Sequence, residues 1–90
     1  MSYEVRFRPS AERDLRKLPE GVRRRILARV EALAADPRPA GTEGLSGDLR
    51  GVRRLRVGPY RVSYVIEDET KAVRVGRIGH RHTFYRLLRQ

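Results

Sequence analysis

The sequence predicts a single α+β domain over residues 1–90. Two N-terminal antiparallel helices are expected to pack on a small, mainly antiparallel four-stranded sheet in the order β-α-α-β-β-β, with a short C-terminal tail or helix. Polar and apolar residues alternate near the N-terminus and in three stretches after residue 52, as in strands with one buried face. Between these stretches, apolar residues recur at helical spacing. The 90 residues suffice for one core and are too few for two.

The first strand is predicted where Tyr3, Val5 and Phe7 alternate with charged residues. Pro9 ends this strand. Ser10 is expected to cap the first helix, because a serine side chain can accept a hydrogen bond from a free amide at a helix start.

The second helix is predicted from around Glu20 to Asp36, which precedes a proline and is therefore pushed out of the helical region. The segment 38–51 contains four glycines and a proline, so no regular element is expected there. Leu45 and Leu49 are expected to pin this segment to the core.

Three strands are predicted after this segment, with Leu55 and Val57 buried and the neighbouring arginines on the other face. The dipeptide Gly58-Pro59 predicts a two-residue hairpin, because proline pushes the preceding residue out of the helical region into a conformation that suits glycine. The last strand, 72–79, loses its alternation at residues 76–78. Either a bulge or a change of buried face would explain the slip.

Charge is the dominant feature of the composition. The chain has 21 Lys plus Arg against 11 Asp plus Glu, a net charge of +10, and only Lys17 and Lys71 are lysines. After Asp48 the only acids are residues 67–69, whereas eleven cations follow. Arginine binds phosphate through two parallel hydrogen bonds and stacks on bases, so the C-terminal half is expected to bind a polyanion. A general arginine bias of the proteome is the alternative explanation.

Other functional classes are disfavoured by what the sequence lacks. No apolar run approaches the length of about 18 residues needed to cross a membrane. The opening MSYEVRFR has no apolar segment of a secretion signal, and the chain has no cysteine for disulfides or thiolate metal sites. A cytoplasmic protein with no cofactor and no membrane partner is expected.

The C-terminal segment GHRHTFYR concentrates groups that titrate and bind anions. Neighbouring strands lie about 5 Å apart and residues of one face pair across them, so Arg54, Arg56 and Arg61 are expected to emerge together on the face without helices. The tail leaves the last strand beside them. It is therefore expected to bring the residues His80, Arg81, His82 and Tyr85 to the same concavity.

Several segments resemble the RelE/ParE superfamily of toxins from bacterial type II toxin-antitoxin pairs: AERDLRKLP, LAADPRP, GLSGDLRGVRRLRVGPYRVSYVI and IGHRHTFYR. The resemblance covers nearly the whole chain, and its most specific parts are residues 58–64 and 79–85. It implies a RelE-like fold and, as in RelE-like members, cleavage of messenger RNA in the ribosomal A site. The implied partners are the ribosome, messenger RNA and a neutralising antitoxin, with which a hetero-oligomer is expected.

Metal-free RNA cleavage uses the ribose 2′-hydroxyl as nucleophile, so it needs a base, cations for the developing charge and an acid for the 5′-oxygen. The resemblance implies catalytic roles for Arg61, Arg81 and Tyr85. It also aligns Arg54 and Arg56 with paired basic residues that are usually lysines in the family. Further candidates for phosphate binding are Arg53 and Arg77.

Arginine cannot act as a base at ordinary pH, whereas a lysine with a lowered pKa can. The base is therefore expected to be Tyr85 or a histidine, because an unperturbed imidazole titrates near a pKa of about 6.5. We expect catalysis to be shared among Arg61, Arg81, Tyr85 and either His80 or His82.

Each candidate also has a structural interpretation, and the resemblance leaves the activity open. The alternative for the strand arginines is a solvated sheet face, and the alternative for His80 is a hydrogen-bonded strand end. A ParE-like toxin that inhibits DNA gyrase by binding is the main alternative function, since a shared fold does not decide function. An inactive relic or a DNA-binding regulator is disfavoured, because no helix looks like a recognition helix.

The charge also predicts the character of the antitoxin. A protein with a net charge of +10 and an arginine-rich concavity fits a separate acidic chain, partly disordered until it binds. This chain is expected to lie against the helices, the concavity or both.

Overall fold

The computed structural model describes residues 2–90 and confirms the α+β class. A five-stranded sheet with strand order β1-β5-β4-β3-β2 carries two helices on one face. The elements are β1 Glu4–Phe7, α1 Pro9–Arg16, α2 Glu20–Glu31, a 3-10 turn Ala32–Ala34, β2 Thr42–Gly44, a 3-10 turn Gly47–Leu49, β3 Arg53–Val57, β4 Tyr60–Glu67, β5 Ala72–His80 and α3 Phe84–Leu88. Within residues 2–90, none of the helices has the length and apolar character that a bilayer crossing requires.

The register of the sheet assigns its two faces. Strand β1 runs parallel to β5, and the other neighbouring strands are antiparallel. Directly paired residues point to the same face, so Leu55 of β3 and Val62 of β4 lie together under the helices. They pack with Ile26 and Val30 of α2, all of them buried. We call this side of the sheet the helix face and the opposite side the outer face.

Tyr64 belongs to the core. Its ring is fully buried, and its hydroxyl donates a hydrogen bond of 2.7 Å to the carbonyl of Pro37. A buried hydroxyl needs such a partner, so this bond fixes the chain that leaves the second helix.

The prediction of four strands was wrong, because the segment 38–51 contributes the short edge strand β2. This strand pairs with β3 through Thr42 opposite Leu55 and Gly44 opposite Arg53. Three residues with a glycine have little intrinsic strand preference, so pairing with β3 rather than local sequence creates this strand. Leu45 and Leu49 are half-buried and lie outside the central core cluster.

Two helix ends also differ from the prediction. Helix α1 begins at Pro9, whose fixed φ suits a first helical position, with Arg8 as the N-cap. Ser10 does not cap the helix; its hydroxyl donates a 2.8 Å hydrogen bond to the carbonyl of Gly76 in β5. Helix α2 ends at Glu31 and tightens into the 3-10 turn, so it stops before Asp36.

The predicted turn and the strand irregularity are both present. Gly58 has φ +57°, the left-handed conformation that glycine adopts without strain, and it joins β3 to β4. The register between β4 and β5 shifts between Val62 and Tyr64, opposite Gly76 and Arg77. The amide of Arg77 donates a 2.8 Å hydrogen bond to the Ser63 hydroxyl at this point, so a bulge explains the lost alternation.

Helix α1 follows β1 and lies along the edge of β5 that β1 leaves uncovered. One carboxylate, that of Asp14, connects this helix to β5. Asp14 accepts hydrogen bonds from Nε and Nη2 of Arg77 at 2.8 and 3.1 Å. It also accepts a 2.9 Å hydrogen bond from the amide of Ile78. This amide lies on the edge of β5 beyond the residues that pair with β1, so Asp14 takes the place of a strand partner. The Asp14 side chain is only 10% exposed, so this ion pair is largely shielded from water.

Candidate active site

Three arginines emerge side by side on the outer face. Arg56 of β3 lies directly opposite Arg61 of β4, and Arg61 lies opposite Gly79 of β5. Arg54 is two residues before Arg56, so it points to the same face. The β3–β4 hairpin therefore groups the positive charges that the alternation of the strands predicts.

Arg61 is the most constrained member of this group. Its Nη1 donates hydrogen bonds of 2.9 Å to the carbonyls of Gly58 and Tyr60, which holds the side chain along the turn. Desolvation by burial lowers the pKa of Arg61, and the charges of Arg56, Arg54 and Arg81 lower it further. These positive groups repel one another in the free protein, so a bound anion would relieve the repulsion.

Arg54 is held between two partners. Its Nη1 donates a 2.5 Å hydrogen bond to the hydroxyl of Tyr85, and its Nη2 forms a 2.6 Å ion pair with Glu43 of β2. The Arg54 side chain is only 14% exposed. Both terminal nitrogens of Arg54 are therefore occupied. This arrangement is better suited to positioning Tyr85 than to binding a phosphate.

The C-terminal tail folds back to complete the site. The amide of Arg81 donates a 2.8 Å hydrogen bond to the carbonyl of Pro59, and Phe84 is fully buried. Helix α3 then lies on the outer face, where a Cβ at residue 79 would come within 2.6 Å of Leu87 Cδ1. Gly79 thus allows α3 to approach, and the close approach places Tyr85 beside Arg54.

We call the group Arg54, Arg56, Arg61, Arg81 and Tyr85 the arginine cluster. The guanidinium groups of Arg56 and Arg81 form no hydrogen bond or ion pair with residues 2–90, and one terminal nitrogen of Arg61 is likewise without such a bond. Tyr85 is 37% exposed. Three cations and one hydroxyl are therefore open to a ligand.

The two histidines flank Arg81 in the chain, and their contacts are with Tyr60 and with each other. His80 is paired with Tyr60 and shares its face, which is the helix face, with the two rings edge to face at 5.7 Å. His82 stacks on His80 at 4.8 Å, and its amide donates a 3.3 Å hydrogen bond to His80 Nδ1. Neither imidazole forms a hydrogen bond with the arginine cluster in the described part of the chain.

Two further arginines with expected phosphate contacts also lie elsewhere. Arg53 points to the helix face, where it donates hydrogen bonds to Tyr64 and Thr42 at 3.3 and 3.0 Å. Arg77 is committed to Asp14, which raises the pKa of Arg77 through a hydrogen bond and its charge. The structure places both outside the cluster, so we do not include them in the site.

Glu43 is a residue of the site that sequence reasoning missed. It lies in the edge strand β2, directly opposite Arg54. Its carboxylate pairs with Nη2 of Arg54, while Nη1 of the same guanidinium holds the Tyr85 hydroxyl. The only available signal was an isolated acid among glycines, which is too weak to place it near β3.

The site can bind and polarise a phosphodiester. Guanidinium groups on adjacent strands match the geometry of phosphate oxygens and can stabilise charge that develops on them. The Tyr85 hydroxyl accepts a hydrogen bond from Arg54, so its own proton remains available for donation. The chemistry thus available is charge stabilisation combined with proton transfer.

Clustered charge is expected to cost stability. Replacing Arg56 by glutamine removes a like charge directly opposite Arg61, so we expect the free energy of unfolding to rise by about 0.5 kcal/mol. Urea denaturation at low salt measures the change. The gain should shrink in high salt as the charges are screened. The control Arg24→Gln, at an exposed position of α2, should show no gain in stability. A stability equal to that of the parent would contradict the repulsion.

Comparison with known proteins identifies the family to which this architecture belongs. The family model for the ParE toxin of type II toxin-antitoxin systems, parDE, matches residues 5–85. The Toxin RelG of Mycobacterium tuberculosis is 41% identical over 91 residues, covering 96% of this chain and 99% of the relative.

Solved structures agree with this match. A chain of the toxin-antitoxin complex RelBE2 from Mycobacterium tuberculosis superposes with a TM-score of 0.82 at 33% identity, covering 89% of this chain and 99% of that chain. A chain of the archaeal RelE-RelB complex from Pyrococcus horikoshii OT3 gives a TM-score of 0.74 at 28% identity, covering 90% and 97%. With this fold, this outer-face site and these relatives, the chain belongs to the RelE/ParE superfamily and is a toxin of a type II toxin-antitoxin system.

Proposed function

We propose that this toxin is an endoribonuclease that cleaves messenger RNA in the A site of the ribosome. The observation that carries the proposal is the arginine cluster, in which three uncompensated cations share one face of the sheet with a tyrosine hydroxyl held by Arg54. The curated relative Toxin RelG and the RelE structures among the relatives support the RelE-like branch of the superfamily.

In the proposed reaction the ribose 2′-oxygen attacks the adjacent phosphorus as it loses its proton. The bond from phosphorus to the 5′-oxygen breaks, so the products are a 2′,3′-cyclic phosphate and a free 5′-hydroxyl. Arg56, Arg61 and Arg81 bind the non-bridging oxygens, where negative charge builds up in the transition state. The carbonyl bonds of Arg61 Nη1 hold this cation in place before the substrate arrives.

Tyr85 is the proposed acid. Arg54 donates to its hydroxyl oxygen at 2.5 Å, which orients the hydroxyl while leaving its proton for the departing 5′-oxygen. Glu43 acts through Arg54 as a positioning residue. The base is assigned outside the arginine cluster, because arginine does not deprotonate. His82, which is exposed and stacked on His80, is the candidate within this chain.

The proposed partners are the ribosome, its messenger and an acidic antitoxin, with which the toxin forms a hetero-complex in the cytoplasm. The related RelBE2 structure is a toxin-antitoxin complex, and the related structure from Pyrococcus horikoshii OT3 is a RelE-RelB complex. On the outer face a groove of about 590 Å³ combines apolar Val65 and Leu87 with Arg13 and Arg74. This combination suits an antitoxin segment that carries both apolar and acidic side chains.

Inhibition of DNA gyrase by binding is the second candidate function. It is favoured by one observation, namely that the matching family model describes ParE toxins. A binding inhibitor would not need Tyr85 held against Arg54, so a toxin of this kind should tolerate Tyr85→Phe.

One experiment separates the two functions. The toxin is induced in cells, RNA 5′ ends are mapped at translated codons, and a gyrase supercoiling assay is run beside it. We expect new 5′ ends within messenger RNA in the parent and few in Tyr85→Phe, because this variant keeps the packing of the ring and loses the proton. Loss of supercoiling without messenger cleavage would reject the nuclease in favour of gyrase inhibition.

A further inference from the structure

Arg25 of α2 reaches the β3–β4 turn from the helix face of the sheet, and Arg29 reaches Gly41, whose carbonyl accepts a 3.3 Å hydrogen bond from the Arg56 amide. A Cβ on Gly58 would lie 2.9 Å from Nη2 of Arg25, and a Cβ on Gly41 would lie 3.4 Å from Nη2 of Arg29. Arg25 and Arg29 are four residues apart on α2, so they are neighbours on its surface. Both are exposed, and neither side chain forms an ion pair or hydrogen bond with residues 2–90.

The same turn is held from the outer face by the arginine cluster. Arg61 Nη1 donates a 2.9 Å hydrogen bond to the carbonyl of Gly58, and the Arg81 amide donates to the carbonyl of Pro59 at 2.8 Å. The guanidinium groups of Arg61 and Arg25 therefore approach Gly58 from opposite faces of the sheet. The positive surface continues around the end of the hairpin from the cluster to Arg25 and Arg29.

We propose that Arg25 and Arg29 form a second phosphate-binding site, which holds the RNA backbone where it passes the β3–β4 turn beyond the scissile phosphate. The inference rests on the proposed function, because it takes RNA as the ligand. Arginine contacts to phosphates position a nucleic acid without reading its sequence, so the site contributes affinity and register. It makes no contact with the reacting atoms.

An RNA backbone fits this surface better than an acidic protein does. Protein interfaces bury an apolar centre, often with aromatic anchors, whereas nucleic-acid interfaces are polar and strongly positive. Within residues 2–90, the large hydrophobic side chains that are exposed are Val65 and Tyr85, and neither lies on α2. The exposed side of α2 around Arg25 and Arg29 thus offers charge without an apolar anchor.

The test measures how binding of a short single-stranded RNA depends on salt. The RNA carries 2′-O-methyl riboses throughout, so it cannot supply the nucleophile, and a fluorescent label reports binding by anisotropy. The parent is compared with Arg25→Gln/Arg29→Gln and with Arg6→Gln/Arg8→Gln, which lowers the net charge equally. Arg6 is paired in register with Arg74, five residues before the Gly79 position, or about 17 Å along the sheet at about 3.4 Å per residue.

We expect the negative slope of log affinity against log salt to become shallower by about 1.4 in Arg25→Gln/Arg29→Gln, since each phosphate contact with a single strand contributes about 0.7. The Arg6→Gln/Arg8→Gln control should keep the parent slope. Arg25→Gln/Arg29→Gln should keep the parent urea midpoint, because the altered α2 side chains are exposed and unpaired. A parent-like slope in Arg25→Gln/Arg29→Gln would overturn the inference.

Two further measurements separate this inference from the proposed function. If the parent cleaves messenger RNA on programmed ribosomes while Arg25→Gln/Arg29→Gln keeps the parent salt slope, only the inference fails. If the parent cleaves no messenger RNA, the proposed function fails whatever the slopes show. A variant that loses affinity for the purified acidic antitoxin and keeps its RNA slope would assign this surface to the protein partner and overturn the inference.

Discussion

Replacing Arg81 or Arg61 by alanine is expected to lower the rate of messenger RNA cleavage by about a hundredfold or more, the usual scale for loss of a group that stabilises transition-state charge. Either replacement should therefore also relieve growth arrest. Arg81 is the cleaner of the two, because only its backbone amide contributes a hydrogen bond to the fold. Arg61 also holds the β3–β4 turn, so its loss removes two carbonyl contacts together with the charge. Cleavage rates on programmed ribosomes and colony growth measure both effects.

Charge and geometry can be separated at the same positions. Arg61→Lys and Arg81→Lys keep the charge but lose the planar fork, so we expect partial activity between those of the parent and the alanine variants. Arg6→Ala, at the far end of the outer face, serves as the control and should remain fully toxic. Parent-like cleavage by Arg61→Ala and Arg81→Ala in folded protein would remove both residues from the proposed mechanism.

Replacing Asp14 by asparagine is expected to lower the free energy of unfolding by about 3 kcal/mol, because it leaves the shielded charge of Arg77 without a counter-ion. Such a loss is a large fraction of the roughly 5 to 15 kcal/mol that stabilises a typical domain. Asp14 raises the pKa of Arg77, so the stabilising contribution of this arginine is fully present below its unfolded pKa. Urea denaturation near neutral pH, where Arg77 stays charged in both states, measures the loss.

A double variant tests the cause. Asp14→Leu/Arg77→Met replaces the ion pair by apolar side chains, and it should lose less stability than Asp14→Asn because no shielded charge is left alone. Glu4→Gln breaks the exposed ion pair with Arg6 and should cost about 0 to 1 kcal/mol. If Asp14→Asn proves as mild as Glu4→Gln, the pair does not anchor α1 to the sheet.

Local pattern predicted the part of the site that depends on strand periodicity. Arg54, Arg56 and Arg61 lie opposite the buried side chains because successive strand residues alternate between faces. Gly58 forms the hairpin turn, and the lost alternation in β5 is a bulge. These features depend on neighbouring residues, which the sequence displays directly.

The fold topology was only partly accessible in this way. The edge strand β2 escaped prediction because Thr42, Glu43 and Gly44 acquire strand structure from β3 rather than from their own preferences. With β2 absent from the prediction, the ion pair between Glu43 and Arg54 had no place in the expected site.

The sequence by itself determined the superfamily, the α+β class, the excess of arginine and the face on which the strand arginines emerge. Only the tertiary structure decided which arginines remain free. It committed Arg77 to Asp14, 63 residues earlier, and Arg54 to Tyr85, 31 residues later. It also placed His80 beside Tyr60 on the helix face. The physical reason is range: alternation and turn preferences act between neighbours, whereas a charge acquires its partner only when folding brings distant segments together.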